Sequence, residues 1–407
     1  MTATECTQRT IAFSPPDITD AEVEAVACAL KSGWITTGPR TKELEERLRD
    51  AYSCAGVACL SSATAALECA LRVMGIGPGD EVITSAYTYT ASASAIVHVG
   101  ATPVLCDCAK DAFQIDIDAI PSLITPKTKA VIPVDVGGRM VDYDRLLEAV
   151  ESKSDLFRPA TPLQEAFGRV MVLADSAHAL GASYKGRPCG SVADFTAFSF
   201  HAVKNLTTGE GGALAWRKCG LDDGEIYHQL MLQSLHGQSK DALTKCKAGS
   251  WEYDIVFPGY KCNMTDIQAA LGLAQFERYP ALLARRRKMI EHYAERLEGN
   301  GVSIMQHYAD DFASSGHLML TRIEGADGEM RNRLICRMAD MGVSCNVHYK
   351  PLPLFTAYRN MGFDPGDSPN SCAQFENELT LPLHTLLSDE DIDYVCDCYL
   401  AALGECR

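Results

Sequence analysis

An apolar run, Val170-Met-Val-Leu-Ala174, ends on Asp175, and His178 follows three residues on. Beyond it come Ser199 within Phe-Ser-Phe, Lys204 within His-Ala-Val-Lys-Asn, and the glycine-rich Gly209-Glu-Gly-Gly212. A carboxylate at one strand end and a lysine just after a second strand are the two groups that pyridoxal phosphate requires. One partners the protonated ring nitrogen; the other is an amine that captures the aldehyde. An aminotransferase is therefore the leading reading. Lys204 sits beside a tight turn, where desolvation lowers an amine's pKa and favours the neutral nucleophile; the bland alternative is a surface lysine, the default for that residue. Asp175 would keep the pyridine nitrogen protonated so that the ring withdraws electrons as a Cα proton leaves. Otherwise it is a cap or turn aspartate. His178 reads either as a packed core histidine or as a contact to the ring's phenolic oxygen.

A phosphate calls for backbone amides at a helix start. Ser61-Ser-Ala63-Thr64-Ala-Ala66 supplies hydroxyls and small residues at a strand-to-helix junction, although an ordinary capped helix would look the same. Ser199 would add a hydroxyl to that phosphate. Tyr89 opens the following helix and would lay its ring on the cofactor face; an aromatic there is otherwise core.

These residues need strand ends to hold them. Short apolar runs at 57–60, 81–84, 102–106, 130–134, 170–174, 195–200 and 213–216 alternate with helical spacing at 64–74, 89–99 and 142–150, which predicts an α/β domain with a mainly parallel seven-stranded sheet between helices. The polar stretch 151–168, with Pro159 and Pro162, reads as a surface insertion. Residues 265–298 read as helical with a break at Pro280, and Arg285-Arg-Arg-Lys288 as a solvated helix face bridging two domains. After residue 300, strands at 318–323, 343–348 and 379–381 alternate with helices at 330–341 and 389–403, a small α+β unit. The expected division is a large cofactor-binding domain over 1–265, and a bridging helix with a smaller C-terminal domain over 266–407.

With 53 acidic against 37 basic residues and a pI near 5.1, nucleic acid and anionic membrane surfaces are disfavoured partners. The first ten residues lack the apolar stretch of a secretory signal, and no apolar run approaches a membrane span, so a cytoplasmic protein is expected. The 17 cysteines are scattered, with no CxxC, and suggest neither a zinc site nor a disulfide framework; they read as reduced and mostly buried.

In order and spacing these segments resemble the DegT/DnrJ/StrS-type sugar aminotransferases nearly end to end. The resemblance is carried by Ser32-Gly-Trp-Ile-Thr-Thr-Gly38, Ser61-Ser-Ala-Thr64, Gly79-Asp-Glu-Val82, Lys129-Ala-Val-Ile-Pro-Val134, Ser199-Phe-His-Ala-Val-Lys-Asn205, Pro258-Gly-Tyr-Lys-Cys-Asn-Met-Thr-Asp266 and Val347-His-Tyr-Lys-Pro351. It implies fold type I of the pyridoxal phosphate enzymes, a homodimer with shared active sites, and amino transfer, usually from glutamate, to a keto group on a nucleotide-linked sugar. By position, Lys204 looks like the Schiff-base lysine and Asp175 like the ring-nitrogen partner. His178 stands where members carry glutamine or histidine against the ring oxygen. Ala63, Thr64 and Ser199 match phosphate contacts, and Tyr89 the stacking aromatic. Lys261 and Asn263 fall in the segment that the neighbouring subunit lends to the pocket, and Thr36, Thr37 and His348 look like substrate-side residues.

Some members have histidine in place of the lysine and dehydrate sugars; retention of Lys204 favours transamination. The wording is similar to the branch that aminates C4 of UDP-linked 4-keto sugars, including the 4-amino-4-deoxyarabinose enzyme of lipid A. Asp135 and Ala174 depart from that branch's wording at positions expected to touch the pocket's polarity. Two rival readings are a non-catalytic or regulatory protein of the same fold and a different pyridoxal enzyme, such as a cysteine desulfurase or lyase, which would need a reactive cysteine on a mobile loop.

Overall fold

In strand β5 (Met171–Asp175) every residue is buried, yet neighbours enter different cores: Met171 and Leu173 pack on one face of the sheet, Val172 and Ala174 on the other. The same alternation sends Ala58 and Leu60 of β1 (Gly56–Leu60) one way and Val57 and Cys59 the other. A strand covered on both faces needs apolar residues at every position, so these runs show no polar alternation. In this computed structural model the structure describes residues 9–218, 220–240 and 252–407.

The main sheet also contains β2 (Glu81–Ser85), β3 (Thr102–Cys106) and β4 (Thr128–Ile132). After the short hairpin β6 (Ser183–Tyr184) and β7 (Arg187–Pro188), β8 (Phe195–Ser199) and β9 (Gly212–Trp216) complete it. The order is β1-β9-β8-β5-β4-β2-β3, with β9 antiparallel to both neighbours and the remaining pairs parallel. All seven expected runs are strands of one sheet. Helices α1 (Asp20–Lys31) and α2 (Pro39–Ala51) precede it, while α3 (Ala63–Val73) follows β1 and α4 (Thr90–His98) follows β2. Close packing also explains Gly56, where a Cβ would come within 2.0 Å of the buried Trp216 ring.

The segment 151–168 is more than a surface insertion. Pro162 begins a helix, Pro162–Phe167, whose cap Thr161 accepts the Gln164 N–H at 3.2 Å; a proline in the first turn has no amide to waste. Gln164 is buried and donates to the Met74 carbonyl at 2.9 Å, and Phe157 enters the core. Nor does Pro280 break its helix: Asp266–Leu297 runs through it, because one missing amide is outweighed by a buried face that includes Ala269, Tyr279, Leu282 and Tyr293. Within the basic cluster Arg287 and Lys288 are exposed, but Arg286 is buried and donates to the carbonyls of Gly316 (3.2 Å) and Leu383 (3.1 Å), which corrects the solvated-face reading for that residue.

A three-stranded antiparallel sheet, Val302–Ile304, Met319–Ile323 and Glu378–Leu381, packs with helices Gly328–Asp340 and Asp389–Cys406 around a third core that takes in Ile11 from the N-terminal segment. The expected strand at 343–348 is instead an extended passage with single bridges, Val343 to Ile11 and Asn346 to Thr380, because its pairing is split between two partners. Described cysteines are free, those at 59, 69, 106, 108, 189, 396 and 398 being buried. Among the described residues no helix is long and apolar enough to cross a membrane.

Candidate active site

The carboxyl ends of β1, β2, β5 and β8 open onto one cavity of about 410 Å³, the usual place for ligands in a parallel sheet. Because β9 runs antiparallel, its amino end brings Glu210 and Gly211 to the same rim. Asp175, the last residue of β5, is fixed through its backbone. Its N–H donates to Pro133 O at 2.9 Å and its carbonyl accepts from Asp135 N–H at 3.1 Å. Its Oδ2 accepts the Ser92 hydroxyl at 2.7 Å and its Oδ1 the Ala177 N–H at 3.3 Å. Burial pushes the Asp175 pKa up, opposed by those two bonds and by the charge of Lys204.

Lys204 is held in a turn leaving β8, its N–H donating to His201 O at 2.9 Å, and it lines the cavity. Burial pushes its amine down to about 8, with Asp175 pulling upward. That amine is neutral in about one molecule in ten at pH 7, far more than an ordinary lysine, as a nucleophile and proton carrier needs. Ser62 caps α3 by accepting the Ala65 N–H at 3.0 Å, which leaves the first-turn amides of Ala63 and Thr64 without intrahelical acceptors beside the cavity. Beneath them lies Gly212, where a Cβ would stand 2.4 Å from Ala63 N and 2.7 Å from Phe198 O. Only glycine lets β9 pass so close, which accounts for part of the glycine-rich run. Ser199 Oγ accepts the His201 N–H at 3.4 Å and keeps its own proton to donate.

His178 accepts the Gly137 N–H on Nδ1 at 3.2 Å, so its proton is on Nε2, 3.0 Å from the Tyr349 hydroxyl. Burial holds its pKa well below the ordinary value, and the ring is neutral. Tyr89 caps α4 and lines the cavity with a ring that is 62% exposed, so it is not a core aromatic. His348 lines the same cavity.

Thr36 and Thr37, expected on the substrate side, and Lys261 and Asn263, expected to serve the neighbouring subunit's pocket, do not line this chain's cavity. Lys261 Nζ bonds Asn263 Oδ1, Asn263 Nδ2 bonds Thr37 Oγ1, and Thr36 accepts the Asp266 N–H at 3.1 Å. Asp135 and Ala174 also lie off the wall, although Asp135 bears on Asp175 through its backbone N–H and its charge. Ala174 is buried core, and Asp135 is enclosed by the Ser176 hydroxyl (2.6 Å), Val141 N–H (2.9 Å) and Tyr143 hydroxyl (3.0 Å). The sequence reading missed Ser92, Tyr349, His317 and Phe13. Ser92, a small polar residue in the first turn after Tyr89, carried a faint signal, and Tyr349 adjoins His348; nothing local marks Phe13 or His317.

The residues present fit pyridoxal phosphate: unpaired helix-start amides over a cradle that a Cβ would fill, a buried carboxylate held by two donors, and a recessed amine of lowered pKa in one cavity. Fold and cavity together define a pyridoxal-phosphate-dependent aminotransferase. The chain belongs to the DegT/DnrJ/EryC1/StrS aminotransferase family, which matches residues 16–399. It is 37% identical over 389 residues to the spore coat polysaccharide biosynthesis protein SpsC of Bacillus subtilis (strain 168), covering 95% of each chain. Among solved structures it is similar to Spr1654 of Streptococcus pneumoniae, assigned as a sugar aminotransferase, in its PMP form (54% identity, TM-score 0.96, 98% of this chain and 100% of that one). It is also similar to Helicobacter pylori PseC, an aminotransferase of pseudoaminic acid biosynthesis (26% identity, TM-score 0.86, covering 98% and 100%).

Proposed function

We propose that this protein transfers an amino group from glutamate to the keto group of a nucleotide-linked sugar, a UDP-linked 4-keto sugar in particular, for a cell-surface polysaccharide or lipopolysaccharide. The observation that carries the reading is Lys204 with its lowered pKa sharing one cavity with the buried, hydrogen-bonded Asp175. When bound, pyridoxal phosphate supplies the aldehyde that exchanges for the amino group and a protonated ring that withdraws electrons.

The chain's own residues do the rest. The amides of Ala63 and Thr64 with the Ser199 hydroxyl bind the phosphate, Asp175 holds a proton on the ring nitrogen, and His178 Nε2–H meets the ring oxygen alongside Tyr349. Tyr89 covers the ring face. Lys204 Nζ takes a proton from the substrate Cα and returns it on the cofactor side, serving as base and then as acid. Glutamate and the sugar use the same site in turn.

The active unit is a homodimer in this reading. Lys261, Asn263, Thr36 and Thr37 are off their own cavity wall and serve the partner's site, whereas His348 meets the sugar within its own subunit. No cysteine is among the described residues lining the cavity, which weighs against the desulfurase alternative.

Holoenzyme given glutamate and then a panel of nucleotide-linked keto sugars should yield 2-oxoglutarate and the amino sugar from a UDP-linked 4-keto member. No amination across the panel refutes the substrate assignment. Lys204→Ala should abolish turnover and the visible band of the bound cofactor, and a variant keeping both refutes its role. Lys204→Ala and Lys261→Ala subunits, each deficient alone, should recover activity on mixing if the site is shared.

A further inference from the structure

One buried acid has no part in that chemistry. Glu378 opens the strand Glu378–Leu381, is 0% exposed, and turns one carboxyl oxygen to His348 and the other to Thr380. Oε2 accepts the His348 backbone N–H at 2.8 Å; Oε1 is 2.5 Å from Thr380 Oγ1. Thr380, equally buried, is 2.9 Å from His348 Nδ1. On the far edge of the imidazole, Nε2 has no hydrogen-bond partner among the described residues, and His348 lines the cavity. Phe13 stacks on the ring at 5.8 Å and 18°, and the Tyr87 hydroxyl holds the His348 carbonyl at 2.7 Å. Acid, hydroxyl and imidazole therefore form one line from the core to the cavity.

A hydroxyl has a single proton, so the buried end sets the direction of the line. With Glu378 ionised, Thr380 donates to the carboxylate and accepts from Nδ1–H, and Nε2 presents a lone pair. With Glu378 protonated, the acid donates to Thr380, Thr380 donates to Nδ1, and the ring proton sits on Nε2. The two states differ by one proton: as Nε2 takes one up, the Nδ1 proton passes to Thr380 and the Thr380 proton to Glu378.

We propose that Glu378, acting through Thr380, is a positioning residue that decides whether His348 offers the cavity a donor or an acceptor, and that the donor form recognises the keto oxygen of the sugar substrate. A keto oxygen only accepts hydrogen bonds, so the acceptor form repels it. The substrate clause rests on the functional reading above. Burial pushes Glu378 up to about 8 and His348 down to about 4, so near neutrality the acid titrates while the ring keeps one proton.

Arg331 is the cation facing Glu378, bonding its carbonyl at 3.3 Å; Tyr87, Tyr349, Tyr399 and Cys345 also face it, all held uncharged by burial. Arg322, opposite Glu378 in the sheet, turns to Asp111 and Asn377. Lys204 faces His348.

The test is nitrogen-15 NMR of histidine-labelled holoenzyme, with the His348 signals assigned by their loss in His348→Gln. Across pH about 6 to 9.5 the ring proton should move from Nε2 to Nδ1 in the wild type. In Glu378→Gln the amide oxygen accepts the His348 N–H and the amide nitrogen donates to Thr380, so the proton should stay on Nε2. In Thr380→Val the pH response should vanish. A ring proton that stays put in the wild type, or moves equally in Glu378→Gln, overturns the relay.

Affinity for the UDP-linked keto sugar should fall about tenfold across that range in the wild type and stay flat in Glu378→Gln. Equal pH dependence in both proteins overturns the keto clause. Failure of the wild type to bind any nucleotide-linked keto sugar overturns the functional reading and that clause with it, while the ring-nitrogen signals still decide the relay.

Discussion

The lowered pKa of Lys204 can be read directly in protein stripped of cofactor. Its amine titrates at about 8 against an ordinary 10.5. At pH 7 a group of pKa 8 is about one part in ten neutral, whereas one of pKa 10.5 is about one part in three thousand, so burial enriches the nucleophile roughly 300-fold. Brief exposure of the apoprotein to an amine-reactive reagent across pH about 6 to 10, with Lys204 followed by peptide mass spectrometry and exposed Lys110 as reference, should give a Lys204 midpoint near 8. The sign is fixed by the causes: burial disfavours the ammonium and Asp175 favours it. Asp175→Asn should therefore move the midpoint lower still, and capture of the cofactor aldehyde should rise about tenfold per pH unit before levelling off above the midpoint. A Lys204 that titrates at the ordinary lysine value, or a midpoint that rises in Asp175→Asn, refutes the reasoning.

Ser92→Ala removes the 2.7 Å hydroxyl bond that favours ionised Asp175. It should raise the cofactor dissociation constant by about ten- to a hundredfold, measured by titrating apoprotein, since a bond to a charged group contributes about 1.5–3 kcal/mol. Asp194 is fully buried and accepts from Arg169 Nη1 and Nη2, both at 2.8 Å, and from Arg217 Nη2 at 2.7 Å. Asp194→Asn should cost about 3–5 kcal/mol in denaturant unfolding at neutral pH. Because the folded pKa of Asp194 is lowered from 3.8, that contribution is present above 3.8 and is lost as pH falls through the folded value, so the two proteins should converge in acid. Arg286→Met keeps the stem but strips the Gly316 and Leu383 carbonyls of their donor, and should lower stability by about 2–4 kcal/mol with little change in cofactor affinity.

Local sequence was sufficient for features that depend on chain neighbours. Leu173 and Ala174 are both apolar because a strand in the middle of a covered sheet meets a core on each side, so the seven runs could be read without knowing their order. The Ser62 cap, the helix starting at Ala63 and the turn holding Lys204 are likewise written within a few residues. The resemblance extended this to Asp175 and Lys204 facing one cavity, since their strands β5 and β8 are parallel neighbours.

Only tertiary packing decided what comes to those strand ends from far along the chain. Ser92 reaches Asp175, Tyr349 reaches His178, and Phe13 stacks on His348; no local period encodes such encounters. It also reversed local expectations, burying Arg286 against carbonyls from other segments and carrying a helix through Pro280. Composition and spacing report how much surface a segment must hide, whereas the partner that hides it is settled by the joint packing of elements distant in sequence. The line from Glu378 through Thr380 to His348 exists for that reason: a strand near the C-terminus lies beside an extended passage that the sequence read as a strand of its own.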